Sequence, residues 1–121
     1  MSSFDWVALA GLGGIGAVLR FAIDAWLESR NPTSFPAGTF AINVAGSFVL
    51  GVLTGAHVTD EVLFVAGTGL IGSFTTFSTW MFETQRLTEA GKQTVAGLNV
   101  AGTLAAGLVA AGACWALAAL L

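Results

Sequence analysis

The sequence predicts an all-α integral membrane protein with four transmembrane helices, the third of which is broken mid-membrane. Of its 121 residues, 55% are hydrophobic and only 9% are charged, whereas soluble domains are about 25% charged. The mean hydropathy is +0.83. Four apolar runs reach the roughly 20 residues that a membrane span requires, and they lie at about 6–27, 36–57, 62–86 and 93–120.

The first span carries one charge deep inside it. Arg20 lies about fifteen residues into the run, where a charged side chain must pair, reach the interface or face water. A functional role is the default interpretation, and the alternative is an anchor paired with Asp24 four residues later. Gly11, Gly13 and Gly16 fit G-x-G-x-x-G, but no strand precedes them, so dinucleotide binding is rejected.

Polar side chains occupy one face of the second span. Thr39, Asn43 and Ser47 follow one another at intervals of four residues, so they share a helical face. An asparagine in hydrocarbon needs hydrogen-bond partners, so Asn43 either bridges two helices or lines a polar path. The fourth span repeats this pattern more faintly with Asn99 and Thr103.

The third span has weak helix propensity where the membrane offers no water. Gly67, Gly69 and Gly72 precede the hydroxyl-rich run SFTTFSTW, and backbone that unwinds there must be buried in protein or line a hydrated cavity. A broken membrane helix of this kind is a means of holding ions. Phe77 and Trp80 lie three residues apart, so their rings share a stripe whose positively polarised edges can face a small anion.

Other glycines indicate close helix packing. Gly51 and Gly55 form G-x-x-x-G in the second span, and Gly102, Gly107 and Gly112 recur every five residues in the fourth. Such small residues let helix backbones approach one another in a membrane. Close packing is consistent with several functions and selects none of them.

The short loops carry a strong charge bias. They leave no room for an extramembrane domain, so we predict a single membrane domain over 1–121. If the spans alternate in direction, Arg30, Arg86 and Lys92 share one side, and the loops and termini of the other side hold no Lys or Arg. The positive-inside rule therefore predicts termini outside and basic loops in the cytoplasm.

Several classes of function are excluded. A net charge of −3 on so few charged residues argues against a nucleic-acid partner. His57 lies in a loop without a ligand cluster, and Cys114 is expected to pack as a small hydrophobe. The chain is therefore predicted not to be an enzyme. Its N-terminus has Asp5 and no Lys or Arg, so a cleaved signal peptide is not expected.

Three motifs, in this order and spacing, closely resemble the Fluc fluoride channels, also called the CrcB family. They are GLGGIGAVLRF (11–21), GTFAINVAGSFVLG (38–51) and GTGLIGSFTTFSTW (67–80), and the resemblance covers roughly 6–115. It implies an antiparallel dimer that exports fluoride passively through two pores between the protomers. It also implies a structural sodium ion (Na+) at the centre of the dimer interface, and a multi-pass location in a bacterial or archaeal plasma membrane.

By position in these motifs, the resemblance implies a cation site and an anion path. The backbone carbonyls of Gly72 and Thr75 would hold the sodium, since carbonyl oxygens suit a hard cation. Asn43 would hydrogen-bond in the fluoride path, and Phe77 would supply the first of two paired rings. Trp80 stands where the family has a second phenylalanine, and its larger ring with an N–H donor would keep a polarised edge, narrow the path or close one pore.

Other polar residues complete the implied path. Arg20 matches the arginine of the first-span motif, where positive charge at an aqueous mouth would concentrate anions. Thr76 and Ser78 would donate hydroxyl groups to fluoride as it sheds water, because a selective path must replace hydration with neutral donors. The further polar groups expected along the path are Thr39, Ser47, Asn99 and Thr103.

The charge bias bears on the partner. A self-paired antiparallel dimer needs both orientations of one sequence, which calls for nearly balanced loop charges. We therefore keep two expectations, an antiparallel dimer with itself and one with an oppositely oriented paralogue. Trp80 fits the second arrangement, because a heterodimer tolerates one degenerate pore.

Two other functions suit a short protein with four spans. A small multidrug-type proton-coupled antiporter needs a carboxylate within its first span, whereas Asp5 and Asp24 lie near the ends and the inner charge is Arg20. A non-transporting scaffold subunit would explain the glycines. It would leave the polar face around Asn43 and the hydroxyl-rich break without a purpose.

Overall fold

The computed structural model describes all residues, Met1–Leu121, and the chain is helical almost throughout. The third span is assembled from several consecutive segments, whereas each of the other three is one continuous helix. The elements in chain order are α1 (Ser3–Glu28), α2 (Ala37–Gly55), α3 (Asp60–Val62), a π-helix (Leu63–Ile71), α4 (Gly72–Phe74), α5 (Ser78–Glu89) and α6 (Gln93–Ala119).

Four helical segments are long and apolar enough to cross a membrane, which confirms the four predicted spans. The third runs over Asp60–Glu89 and is longer at both ends than expected. The second ends at Gly55, earlier than expected, because the chain turns there and His57 adopts a left-handed φ of 54°. The single membrane domain over 1–121 stays a prediction.

The second and fourth spans pack with their backbones in contact. A Cβ atom added to Gly51 would meet the backbone of Ala111, and one added to Gly55 would meet the backbone of Trp115. The predicted packing role of this G-x-x-x-G pair is therefore confirmed.

The glycine repeat in α6 behaves differently along its length. A Cβ atom at Gly107 would lie 3.3 Å from Ser47 Oγ, whereas Gly102 and Gly112 have no group within 4 Å. The expectation of close packing is wrong for these two residues within the chain, because no other group approaches them. A five-residue repeat drifts around a helix of 3.6 residues per turn, so it cannot keep one face.

The first span packs against the π-helix and α4 through its own glycines. A Cβ atom at Gly16 would lie 2.5 Å from the carbonyl oxygen of Leu70, and one at Gly13 would lie 3.2 Å from Ser73 Oγ. Gly11, Gly13 and Gly16 thus lie in a helix, and the middle and last of them serve packing. This close approach fixes α1 beside the segment that precedes the polar break.

The surface of the chain is that of a protein in lipid. Large apolar side chains are exposed on every span, among them Phe21 at 76% and Leu108 at 65%. So broad an apolar surface marks contact with membrane or with partner chains. Cys114 is buried, as predicted, and His57 is exposed in its loop.

Candidate functional site

The helical backbone of the third span is interrupted between Phe74 and Ser78. Thr75 has extended backbone angles, φ −80° and ψ 160°. The side-chain amide of Asn43 satisfies both polar backbone groups of the next residue: Thr76 N–H donates to Asn43 Oδ1 at 2.8 Å, and Asn43 Nδ2 donates to the Thr76 carbonyl at 2.9 Å. Asn43 thus bridges α2 and the interruption.

Several carbonyls at the interruption lose their usual helical donors, and those of Gly72 and Thr75 are among them. The N–H four residues after Gly72 belongs to Thr76, and it donates to Asn43 instead. The N–H four residues after Thr75 belongs to Thr79, and it donates to Thr76 Oγ1 at 3.2 Å. The carbonyl oxygens of Gly72 and Thr75 are therefore free of the helical ladder, which is the property that a cation site made of backbone oxygens needs.

A cavity of about 340 Å³ opens beside the interruption, between the second, third and fourth spans. It brings together many of the side chains that the sequence singled out, and the remainder of its wall is apolar. The polar and aromatic lining residues are Asn43, Ser47, Thr75, Thr76, Phe77, Trp80 and Thr103. Asn43 therefore bridges two helices, one of the two roles that the sequence left open, and it also faces this cavity.

The hydroxyl groups of this cavity are not equivalent. Ser47 Oγ donates to the backbone carbonyl of Asn43 at 2.8 Å, so the hydroxyl proton of Ser47 is already used. Thr103 Oγ1 is buried and has no hydrogen-bond partner. Thr103 thus lines the cavity with a hydroxyl oxygen that is buried and uncommitted, whereas Ser47 offers lone pairs.

The two rings of the predicted stripe meet edge to face. The ring centroids of Phe77 and Trp80 are 5.7 Å apart and their planes make an angle of 84°. Phe77 is 70% exposed on this chain. Trp80 is held from behind by α6, where its indole Nε1–H donates to the carbonyl of Asn99 at 2.8 Å.

A second cavity, of about 240 Å³, surrounds Arg20. Thr39 and Thr79 line it together with Asp24. Thr76 lines both this cavity and the one beside Asn43. No hydrogen bond joins Arg20 to Asp24, whose Oδ1 atom is buried without a partner. The anchor pairing considered for Arg20 is therefore not formed.

Some predicted path residues lie elsewhere. Thr39 lines the Arg20 cavity and not the cavity around Asn43, so α2 divides its polar face between two cavities. Asn99 is fully buried behind Trp80 and lines neither. Ser78 is exposed at the start of α5 and also lines neither of them.

Sequence reasoning missed Glu83. The Thr39 hydroxyl donates to its carboxylate Oε1 atom. Glu83 also lines a third cavity, of about 340 Å³, with Arg86 and Lys92. A signal is present in the sequence, because Glu83 continues the spacing of three residues that joins Phe77 to Trp80.

Known proteins resemble this chain over most of its length. Residues 7–115 match the family model described as "CrcB-like protein, Camphor Resistance (CrcB)". A protein of Mycolicibacterium paratuberculosis named "Fluoride-specific ion channel FluC 2" is 44% identical over 95 residues, which cover 78% of each chain. One of Symbiobacterium thermophilum named "Fluoride-specific ion channel FluC 1" is 42% identical over 103 residues, 80% of this chain and 83% of the relative.

A third relative, from Leifsonia xyli and also named FluC 1, is 46% identical over 102 residues, 81% of this chain and 74% of its own. The matched residues contain the second and third spans completely and all but the outer ends of the first and fourth, and the polar interruption with its cavity lies within them. This chain is thus a multi-pass membrane protein, and it belongs to the CrcB family.

Proposed function

We propose that this chain forms a fluoride-selective channel, which lets fluoride leave the cytoplasm passively across the plasma membrane. The names of its relatives support the choice of ion. The observation that carries the proposal is the interruption at Thr75–Phe77, which Asn43 holds open beside a cavity with hydroxyl and ring-edge groups. On this proposal the interruption lies at mid-membrane.

The anion path runs through the cavity around Arg20 and the cavity beside Asn43, which share Thr76 in their walls. Arg20 lies in the smaller cavity and concentrates anions at its mouth. Beyond Thr76, fluoride meets neutral groups, namely the Asn43 amide, the Thr103 hydroxyl and the ring edges of Phe77 and Trp80. Neutral donors replace the hydration shell without the strong binding that a fixed cation would impose, so the ion is able to leave again.

A structural sodium ion belongs to the same proposal. The carbonyl oxygens of Gly72 and Thr75 would hold it, and their freedom from helical hydrogen bonds fits that role. When bound, the ion would neutralise converging carbonyl dipoles. Two copies of the segment in a dimer would present these oxygens on both sides of a two-fold axis.

The channel is a dimer of antiparallel chains. Phe77 is 70% exposed, and the cavity beside Asn43 opens on the surface of the chain. A second chain is therefore needed to close the path. The partner is a second copy or an oppositely oriented paralogue. The one-sided placement of Arg30, Arg86 and Lys92 supports the paralogue, as do relatives numbered FluC 1 and FluC 2.

The first experiment is fluoride efflux from liposomes that contain this chain alone, with sodium on both sides, an ion-selective electrode as detector and chloride as the control anion. Rapid efflux of fluoride without chloride is expected from a self-paired dimer. If folded protein is silent until a paralogue of opposite orientation is added, the two-chain arrangement is correct. Silence with every such partner would overturn the channel proposal.

A matched pair of variants ties the flux to the proposed path. Phe77→Ala removes a ring that lines the cavity, whereas Phe82→Ala removes a ring of the same span that is also exposed, at 58%, but does not line the cavity. We expect Phe77→Ala to lose fluoride efflux with the dimer intact and Phe82→Ala to retain it. Equal activity in the two variants would favour a non-transporting scaffold or a path elsewhere.

A further inference from the structure

Trp80 is joined to the fourth span by reciprocal hydrogen bonds. Its indole Nε1–H donates to the backbone carbonyl of Asn99 at 2.8 Å. In return, Asn99 Nδ2 donates to the Trp80 carbonyl at 3.3 Å and to Thr84 Oγ1 at 2.9 Å. Thr84 Oγ1 itself donates to the Trp80 carbonyl at 2.8 Å. Each of these bonds involves Trp80 or Asn99.

The side-chain amide nitrogen of Asn99 is committed entirely to this contact. The side chain of Asn99 has no exposed surface, so no water or ion reaches it in this arrangement. Both hydrogens of its amide nitrogen have acceptors on α5, and its Oδ1 atom faces no donor. An asparagine in this position holds two spans together and does not contact an ion in the cavity.

The contact decides which part of the indole ring meets the cavity. A free indole N–H would be a strong donor beside a path for small anions, and strong binding slows conduction because the ion must leave as well as enter. With the N–H docked on α6, the ring of Trp80 offers the cavity only carbon-bound hydrogens, as a phenylalanine would. These polarised edges attract an anion weakly.

We propose that Asn99, with Thr84, is a positioning residue that keeps the Trp80 indole N–H on the fourth span and out of the anion path. This inference rests on the proposed channel function for its consequence, but the contact itself is testable without transport. It assigns Asn99 to the support of the path and not to the path itself. It also explains how a tryptophan is accommodated at this ring position.

The first test measures hydrogen exchange of the indole N–H groups by NMR in protein labelled with ¹⁵N-tryptophan. The chain has four tryptophans, Trp6, Trp26, Trp80 and Trp115, which single Trp→Phe variants assign. We expect Trp80 to exchange most slowly. Thr84→Val and Asn99→Leu should each accelerate its exchange by about tenfold, the scale of one lost buried hydrogen bond.

Thr88→Val is the matched control for Thr84→Val. Thr88 Oγ1 makes the same kind of bond to a carbonyl one turn earlier on α5, but it has no partner on α6. Its substitution should leave the exchange of Trp80 unchanged. Equal exchange at Trp80 in the wild type, Thr84→Val and Asn99→Leu would overturn the positioning role whether or not the protein conducts fluoride.

The second test asks whether the position of the N–H matters for the ion. Fluoride should leave the Trp80 indole proton shift unchanged in the wild type and move it in Asn99→Leu, with chloride as control. Asn99→Leu should lower fluoride efflux by about tenfold, and Trp80→Phe in the same chain should restore most of it, because phenylalanine has no N–H to release. A purely structural role for Asn99 would give no such rescue.

The two tests separate two kinds of failure. A direct fluoride shift at Trp80 in the wild type, or additive effects of Asn99→Leu and Trp80→Phe on efflux, would overturn the inference. Absence of efflux from the wild type with slow exchange at Trp80 would instead sustain the contact and count against the channel proposal. Should Asn99→Leu fail to fold, Thr84→Val carries the exchange and efflux measurements.

Discussion

The contact of α2 with α6 and the contact of α2 with the third span solve different problems on two faces of the same helix. Toward α6, both backbones are hydrogen-bonded within their own helices, and Gly51 and Gly55 contribute only shape. Toward the third span, the helical ladder is interrupted, and Asn43 supplies the missing partners of Thr76. In a membrane, small residues suffice where the backbone is satisfied, and a side-chain amide is required where it is not.

The largest effect in this comparison is expected from Asn43→Leu. Leucine keeps the volume but leaves the part-buried N–H and carbonyl of Thr76 without their partners, at a cost of up to about 1–3 kcal/mol for each group. We expect fluoride efflux to be abolished and the thermal unfolding temperature in detergent to fall. Asn31→Leu, at a loop asparagine outside the spans, is the control and should conduct. Retained efflux in Asn43→Leu would show that Thr76 finds another partner.

Removal of sodium tests the carbonyl oxygens that the interruption leaves without helical donors. If the carbonyls of Gly72 and Thr75 hold the ion, replacing sodium with a bulky organic cation leaves converging oxygens uncompensated and weakens the dimer. The dimer fraction, measured by light scattering or single-molecule photobleaching, should fall and recover on readdition of sodium. A dimer fraction that is independent of sodium would contradict the proposed cation site.

The shape-only contact is expected to respond differently, through stability and not through ions. Gly51→Ala places a Cβ atom against the backbone of Ala111, which cannot move aside as a flexible side chain would. Overpacking of this kind costs about 1–3 kcal/mol. Gly112→Ala, where no group lies within 4 Å, is the matched control and should keep full stability in detergent unfolding. Equal stability of the two variants would mean that α2 and α6 separate readily.

On both faces of α2, the sequence predicted features within a span and not the contacts between spans. The G-x-x-x-G spacing and the interval from Asn43 to Ser47 follow from one helix alone, and the structure places both as expected in α2. The contact of Trp80 with Asn99 and that of Thr39 with Glu83 depend on how one span is rotated against another. Periodicity within a span carries no information about that rotation, so these partners were not predicted.

The smallest effect is expected at Thr39, near the start of α2, where this helix contacts Glu83 of the third span. Thr39→Val removes the hydroxyl that donates to the Glu83 carboxylate in a position where Thr39 is only 1% exposed. The loss of this bond should lower stability by about 1–3 kcal/mol, because it leaves a part-buried acceptor without its donor. Thr54→Val is the control, since Thr54 Oγ1 donates only to carbonyls of its own helix. If both variants unfold at the same temperature, water replaces Thr39 at Glu83, and the polar end of α2 is hydrated while its glycine face toward α6 is dry.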